Sequence, residues 1–215
     1  MHSLLDRCLE ELDTALRVVT TRARTAPADL PGHQDAMAEE AGTRLSTAER
    51  AESARLMRVN HSGEIAAQAL YRGQAFVTRD QQLRVKFHSA ANEEHSHLLW
   101  CDHRVRELGH RASRLGVLWY SGSFIIGALA GLAGDRISLG FLAETEKQVT
   151  EHLERHLSLL PENDQQSHRI VRQMRDDEQT HKDAAIREGG TELPDTAKRA
   201  MQGAASIMTG ISYWI

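Results

Sequence analysis

Residues 3 to 20 (SLLDRCLEELDTALRVVT) place Leu4, Leu5, Leu9, Leu12, Leu16 and Val19 at helical intervals, which gathers side chains on one helix face. A second periodic stretch opens at Ser46-Thr47-Ala48-Glu49. This reads as a capping box, in which the serine oxygen and the Glu49 carboxylate each satisfy an amide left free at a helix start. It predicts a helix to about Thr78. A turn near Arg79-Asp80 leads to another, ending at about Leu108 before Gly109. A later helix ends at Leu160, because Pro161 cannot continue it. After Asp164 the last long helix runs to about Glu188 and stops at Gly189-Gly190. A helical patch around Ala197 to Ile207 and an apolar, aromatic ending, Ile211 to Ile215, complete the pattern.

Residues 22 to 45 carry Pro27, Pro31, Gly32 and Gly42 and read as a linker. The expected organisation is an N-terminal helix and linker (1–45), a four-helix bundle (46–190) and a helical tail (191–215). The expected class is all-α.

One stretch breaks the amphipathic pattern. Leu115 to Gly134 (LGVLWYSGSFIIGALAGLAG) holds no charge and is bounded by Arg114 and Asp135. Its length is near that of a bilayer span, but seven of its residues are Gly or Ser, which lowers its hydrophobicity.

Composition narrows the picture. The 215 residues have a net charge of −4 and a pI near 6.3, so there is no basic footprint for nucleic acid. Ala, Leu, Arg and Glu dominate, and these lose little rotamer freedom in helices. Cys8 and Cys101 form neither a metal-binding spacing nor a disulfide framework. Asp6, Glu10, Glu11 and Asp13 at the start argue against a secretory or transit segment, so a bacterial cytoplasmic location is expected.

The candidate chemistry lies in Glu-x-x-His pairs, whose i and i+3 side chains share a helix face. Three occur, Glu94/His97, Glu107/His110 and Glu178/His181, where chance at this Glu and His content gives about one. Position carries more weight than count. Glu64 lies 16 residues before Asp80 and Glu94 lies 14 after it, so the two share a height on antiparallel helices. Around Asn163 the arrangement repeats, with Glu146 17 residues before and Glu178 15 after. Glu107/His110 has no counterpart and straddles a helix-ending glycine, so it reads as the chance match. The neighbours are apolar on each face: Met57, Ala67, Tyr71 and Ala75; Phe87, Ala90 and Cys101; Leu139, Leu142, Val149 and Leu153; Val171, Met174 and Ala185. Buried carboxylates there would be costly unless paired, and two cations would remove that cost. Four Glu and two His match the ligand set of di-iron and di-manganese bundles, and oxygen and imidazole donors without thiolate suit iron or manganese better than zinc.

These residues also carry a resemblance. Arg58-Val59-Asn60-His61-Ser62-Gly63-Glu64, Glu93-Glu94-His95-Ser96-His97-Leu98, Glu144-Thr145-Glu146 with His152, and Asp176-Asp177-Glu178-Gln179-Thr180-His181 resemble, in order, four signatures of the demethoxyubiquinone hydroxylase family. The likeness continues to Met208-Thr209-Gly210-Ile211-Ser212-Tyr213 and covers roughly residues 50 to 215.

The resemblance implies a ferritin-like di-iron monooxygenase of ubiquinone biosynthesis, using O2 and a reductant as co-substrates to hydroxylate a polyprenylated methoxy-methylbenzoquinol. It implies that Glu64, Glu94 and His97 hold one iron and Glu146, Glu178 and His181 the other, with Glu94 and Glu178 bridging. It selects Glu146 over Glu144, as hairpin height does. His152 resembles a family histidine proposed to move electrons or protons; the other reading is an exposed pair with His156. A membrane-embedded substrate implies a peripheral, monotopic place on the cytoplasmic face of a bacterial inner membrane, with partners in a ubiquinone-biosynthesis complex and a homo-oligomer both open. The uncharged stretch then has three readings: an interfacial anchor lining an entrance, a transmembrane span, or a crossover buried in an oligomer. Trp119, Tyr120, Tyr213 and Trp214 read either as membrane-surface aromatics or as core. The rival functions are a ferritin-like iron-storage or peroxide-detoxifying protein and a metal-free helical scaffold.

Overall fold

In a computed structural model, residues 3–23, 25–32 and 45–215 are described. They form seven helices: α1 (Leu4–Thr20), α2 (Thr47–Val77), α3 (Gln81–Glu107), α4 (Gly116–Leu132), α5 (Asp135–Leu159), α6 (Gln165–Arg187) and α7 (Asp195–Ser212). The expected linker falls partly on residues 24 and 33–44, outside the described residues.

Local chemistry sets the helix ends. Ser46 Oγ accepts from Glu49 N–H while Ser46 N–H donates to Glu49 Oε2, closing the capping box at α2. The Asp80 carboxylate accepts from Gln82 and Leu83 N–H at the start of α3. Gly109 and Gly189 adopt φ of 78° and 97° at the ends of α3 and α6. At α3, His110 N–H reaches back to Val105 O, a turn that a side-chain-bearing residue at position 109 would strain.

The α2–α3 and α5–α6 hairpins make the four-helix bundle. Thr78 Oγ1 donates to Asp135 Oδ1, so α5 begins at the end of the bundle where α2 finishes. The chain gets there along α4, 17 residues and thus about 25 Å long. The uncharged stretch is therefore a crossover helix, and it packs on α2 through missing side chains. A Cβ at Gly73 would lie 2.2 Å from Phe124 O, and one at Gly127 would lie 2.0 Å from Leu70 O. Gly116, Tyr120, Gly127, Ala130 and Gly131 are buried, whereas Val117, Leu118, Ile125, Ile126, Leu129 and Leu132 are exposed. Apart from Tyr120, the inward face is built of Gly and Ala, and the large aliphatic side chains point outward. Among the described residues no helix is long and apolar enough to cross a membrane, which removes the reading of this stretch as a span.

The periodic leucines of α1 behave likewise. Leu4, Leu5, Leu9, Leu12 and Leu16 are all exposed; α1 docks instead through Val18 and through Glu11, whose carboxylate takes both arms of the Arg72 guanidinium at 2.8 and 2.9 Å. Helix α7 extends beyond the expected patch, to Ser212, where Arg58 Nη2 donates to Tyr213 O and Tyr213 Oη donates to Glu52.

The bundle core divides into two apolar clusters. One gathers Met57, Cys101, Leu153, Ile170 and Met174; the other gathers Tyr71, Phe87, Leu142 and Ala185. In sequence, the acidic positions on each helix fall between its contributions to the two.

Candidate metal centre

All six predicted side chains meet in the layer between those clusters. Glu64, Glu94, Glu146 and Glu178 are no more than 3% exposed. Glu64, Glu94, His97 and Glu178 form one group able to hold a metal ion, and Glu94, Glu146, Glu178 and His181 form a second. Glu94 and Glu178 belong to both groups. Glu144 lies outside them and accepts from Gln148 Nε2. The chance pair does not assemble: the exposed Glu107 meets Arg104 and His103, and His110 lies beyond the end of α3.

The two halves mirror each other. His97 Nδ1 lies 3.2 Å from Glu94 Oε2 and 3.1 Å from Glu178 Oε1. His181 Nδ1 lies 3.1 Å from Glu178 Oε2 and 3.8 Å from Glu94 Oε1. Each ring's far nitrogen turns away from the cluster to another carboxylate: His97 Nε2 to Asp177 at 3.1 Å and His181 Nε2 to Glu93 at 2.7 Å. Outer carboxylates of this kind fix a histidine's tautomer and orientation. Sequence reasoning missed Glu93 and Asp177, although both motifs show an acid directly before the shared glutamate. It also missed Tyr71 as a partner: this fully buried phenol donates to Glu146 Oε1.

The electrostatics show what the cluster lacks. Burial and neighbouring carboxylates push Glu64 and Glu146 well above the usual carboxylate range, and Glu94 upward too. Burial opposes charge on Glu178 as well, but hydrogen bonds from His181 and His97 outweigh it and hold Glu178 down at about 2. Burial also disfavours both imidazoliums, yet their carboxylate partners raise His97 well above its ordinary value and His181 to about 9. Glu94 Oε1 and Glu178 Oε1 are buried and lack a well-aligned hydrogen bond, their nearest ring nitrogens lying at 3.8 and 3.1 Å. Those two under-satisfied oxygens sit on the two shared carboxylates. Divalent cations satisfy such oxygens and displace the protons, so the residues fit metal.

A cavity of about 470 Å³ reaches Glu64 between α2, α4, α5 and α7, walled by Leu70, Leu118, Ile126, Phe141, Met201 and Met208 among others. His152 is not in the metal cluster; it lines this cavity. The exposed-pair reading of His152 and His156 fails: His156 is buried, His152 is partly buried, and their rings lie 4.0 Å apart. The four aromatics split between the two readings, with Tyr120 buried, Trp119 and Tyr213 partly buried and Trp214 exposed.

Two hairpins joined by a long crossover, with four Glu and two His projecting inward, define a ferritin-like bundle able to bind metal. Residues 51–212 match the family described as Ubiquinone biosynthesis protein COQ7, and the chain belongs to that family. It is 50% identical over 213 residues to a 3-demethoxyubiquinol 3-hydroxylase of Nitrosococcus oceani, covering 99% of this chain and 97% of that one. A protein of the same name from Ralstonia pickettii is 50% identical over 217 residues, covering 99% and 100%. Another from Legionella pneumophila (strain Paris) is 46% identical over 213 residues, covering 99% and 98%.

Proposed function

We propose that this chain hydroxylates a demethoxyubiquinol, the reaction for which its relatives are named, using two irons, O2 and an external reductant. The observation that carries this is the meeting of two metal-binding groups sharing Glu94 and Glu178 with an apolar cavity large enough for a quinol ring and the first part of its tail. Glu64, Glu94 and His97 would hold one iron and Glu146, Glu178 and His181 the other, Glu94 and Glu178 bridging. Bound there, the irons supply oxygen activation. The chain supplies the rest. Asp177 and Glu93 hold the histidine rings with Nδ1 inward. The Tyr71 hydroxyl donates to Glu146 and favours its charged form. The apolar clusters on either side keep water from the layer.

An iron-storage or peroxide-detoxifying bundle needs no such cavity. The exposed apolar faces of α1, α4 and the end of α7 support a peripheral seat on the membrane that holds the substrate; its place at the cytoplasmic face of the inner membrane is part of the proposal and rests on the family resemblance.

The deciding experiment supplies iron-loaded protein with demethoxyubiquinol, O2 and reductant. The hydroxylated quinol should form, and Glu146→Ala should abolish it. If the quinol binds and wild type yields no product, the reading fails.

A further inference from the structure

The cavity is mostly apolar, and the polar side chains on its wall largely satisfy themselves. Thr145 Oγ1 donates to Phe141 O, Gln148 Nε2 to Glu144 and Lys198 O, and Ser206 Oγ to Gln202 O. Three do not. Asn60 Oδ1, His152 Nε2 and Trp119 Nε1 are buried, have no hydrogen-bond partner, and belong to residues that line the cavity; the first two lie on bundle helices that carry the metal layer, Trp119 on the crossover helix. Asn60 is 3% exposed, and its amide nitrogen has only a long contact to Met57 Sδ, at 3.9 Å. Unsatisfied buried polar atoms are costly and rare, so three at one cavity need an explanation, and the pair on the bundle helices has one.

Their placement supplies one. Asn60 lies four residues before Glu64 on α2, and His152 lies six after Glu146 on α5. The two helices run in opposite directions, so both residues lie on the same side of the metal layer. They stand about 6 and 9 Å from it along the bundle axis. Both line the same cavity that reaches Glu64 of the cluster. Burial lowers the His152 pKa to about 4, so its imidazole is neutral at physiological pH and offers one donor and one acceptor. The Asn60 amide offers both as well. Such a pair can serve the hydroxyls of a quinol or, by amide rotation and tautomer change, the carbonyls of a quinone.

Resting on the proposed function, we propose that Asn60 and His152 recognise the head group, hydrogen-bonding the ring oxygens while the tail leaves between α4 and α7. This gives His152 a binding role at the ring, where the family resemblance implied electron or proton movement.

The test uses the full iron-loaded chain, titrated anaerobically by calorimetry with two probes. One is demethoxyubiquinol carrying a decyl tail; the other is the same molecule with both ring hydroxyls replaced by hydrogen. Wild type should prefer the first by roughly ten- to a hundredfold, as two hydrogen bonds imply. Asn60→Leu and His152→Phe should each erase about tenfold of that preference, leaving affinity for the deoxy probe within about twofold. His152→Gln, which restores a neutral donor and acceptor, should recover most of it. If Asn60→Leu does not fold, the two His152 variants carry the test alone. The proposal is overturned if the variants keep the wild-type preference, or if they weaken both probes equally, which marks a structural role. Either result leaves the proposed function standing when wild type still forms product. Failure of wild type to bind either probe overturns both readings.

Discussion

His97 on α3 meets Asp177 on α6 at 3.1 Å through the ring nitrogen facing away from the cluster. Asp177 directly precedes Glu178, one of the two shared carboxylates. The arrangement is reciprocal, since Glu93 precedes Glu94 and receives His181 at 2.7 Å. Each Glu-x-x-His helix thus braces the histidine of the other.

Asp177→Asn and Glu93→Gln should therefore act on different halves of the centre. Each should weaken one iron by about 10–100-fold, the range for outer carboxylates behind ligating histidines, and leave the other nearly unchanged. Chelator competition followed by Mössbauer spectroscopy resolves the two sites. Equal loosening of both irons by either substitution would refute the assignment.

Metal uptake should release protons and weaken as the pH falls. Without metal, burial and neighbouring carboxylates hold Glu64, Glu94 and Glu146 protonated above the usual carboxylate range, and carboxylate partners raise His181 to about 9; a bound metal ion must displace these protons. Removing the donor to Glu146 by Tyr71→Phe should move the midpoint of uptake to higher pH. Titration in weakly buffered solution, recording base consumed per iron, measures this directly.

His156 gives a stability signal with a defined sign. Burial, then the nearby His152 and Arg155, depress its pKa to about 2, whereas the unfolded chain titrates near 6.5. Below 6.5 the unfolded state therefore binds a proton that the folded state refuses, so stability is lost on acidification. The unfolding free energy of wild type minus that of His156→Leu should fall by about 1.4 kcal/mol per pH unit below 6.5. Urea denaturation of both proteins between pH 7.5 and 5 provides the comparison, and a flat difference would contradict it.

The glycines of the α2–α4 crossing should tolerate no added carbon. Gly127→Ala and Gly73→Ala each force a Cβ onto a backbone oxygen and should cost roughly 2 kcal/mol or more. Gly203→Ala on α7 meets nothing within 4 Å and should be neutral or stabilising by up to about 1 kcal/mol. Chemical denaturation ranks the three.

On the outer face of the same helix, Ile125→Asp and Leu129→Asp replace exposed apolar side chains. Thermal stability should change little, while flotation with anionic phospholipid vesicles should drop several-fold. Undiminished flotation of the double variant would place membrane contact elsewhere.

How much of this was legible in the sequence depends on whether the cause is local. The capping box at Ser46, the stop at Pro161 and the left-handed turns at Gly109 and Gly189 act within a few residues, and those helix ends agree closely with expectation. The six cluster residues were legible because each hairpin's two arms, counted from one turn, bring matching positions to one height. Glu93 and Asp177 escaped because their partners lie on the other hairpin, and hairpin geometry says nothing about how α3 and α6 are rotated toward each other. Tyr71 was placed on the correct face, but its partner is on α5. The leucine spacing of α1 predicted a helix and could not say that the leucines point outward.

Helix α4 has no polar side, so polarity cannot decide how it is turned about its own axis; size decides. At Gly127 and Gly131 it locks to α2, and its bulky aliphatic side chains look outward. Under the proposed function its two faces carry separate instructions, one for assembly and one for address. A hydropathy-preserving change such as Gly→Ala on the inner face should weaken the fold. A hydropathy-destroying change on the outer face should leave the fold intact and loosen the proposed hold on the membrane.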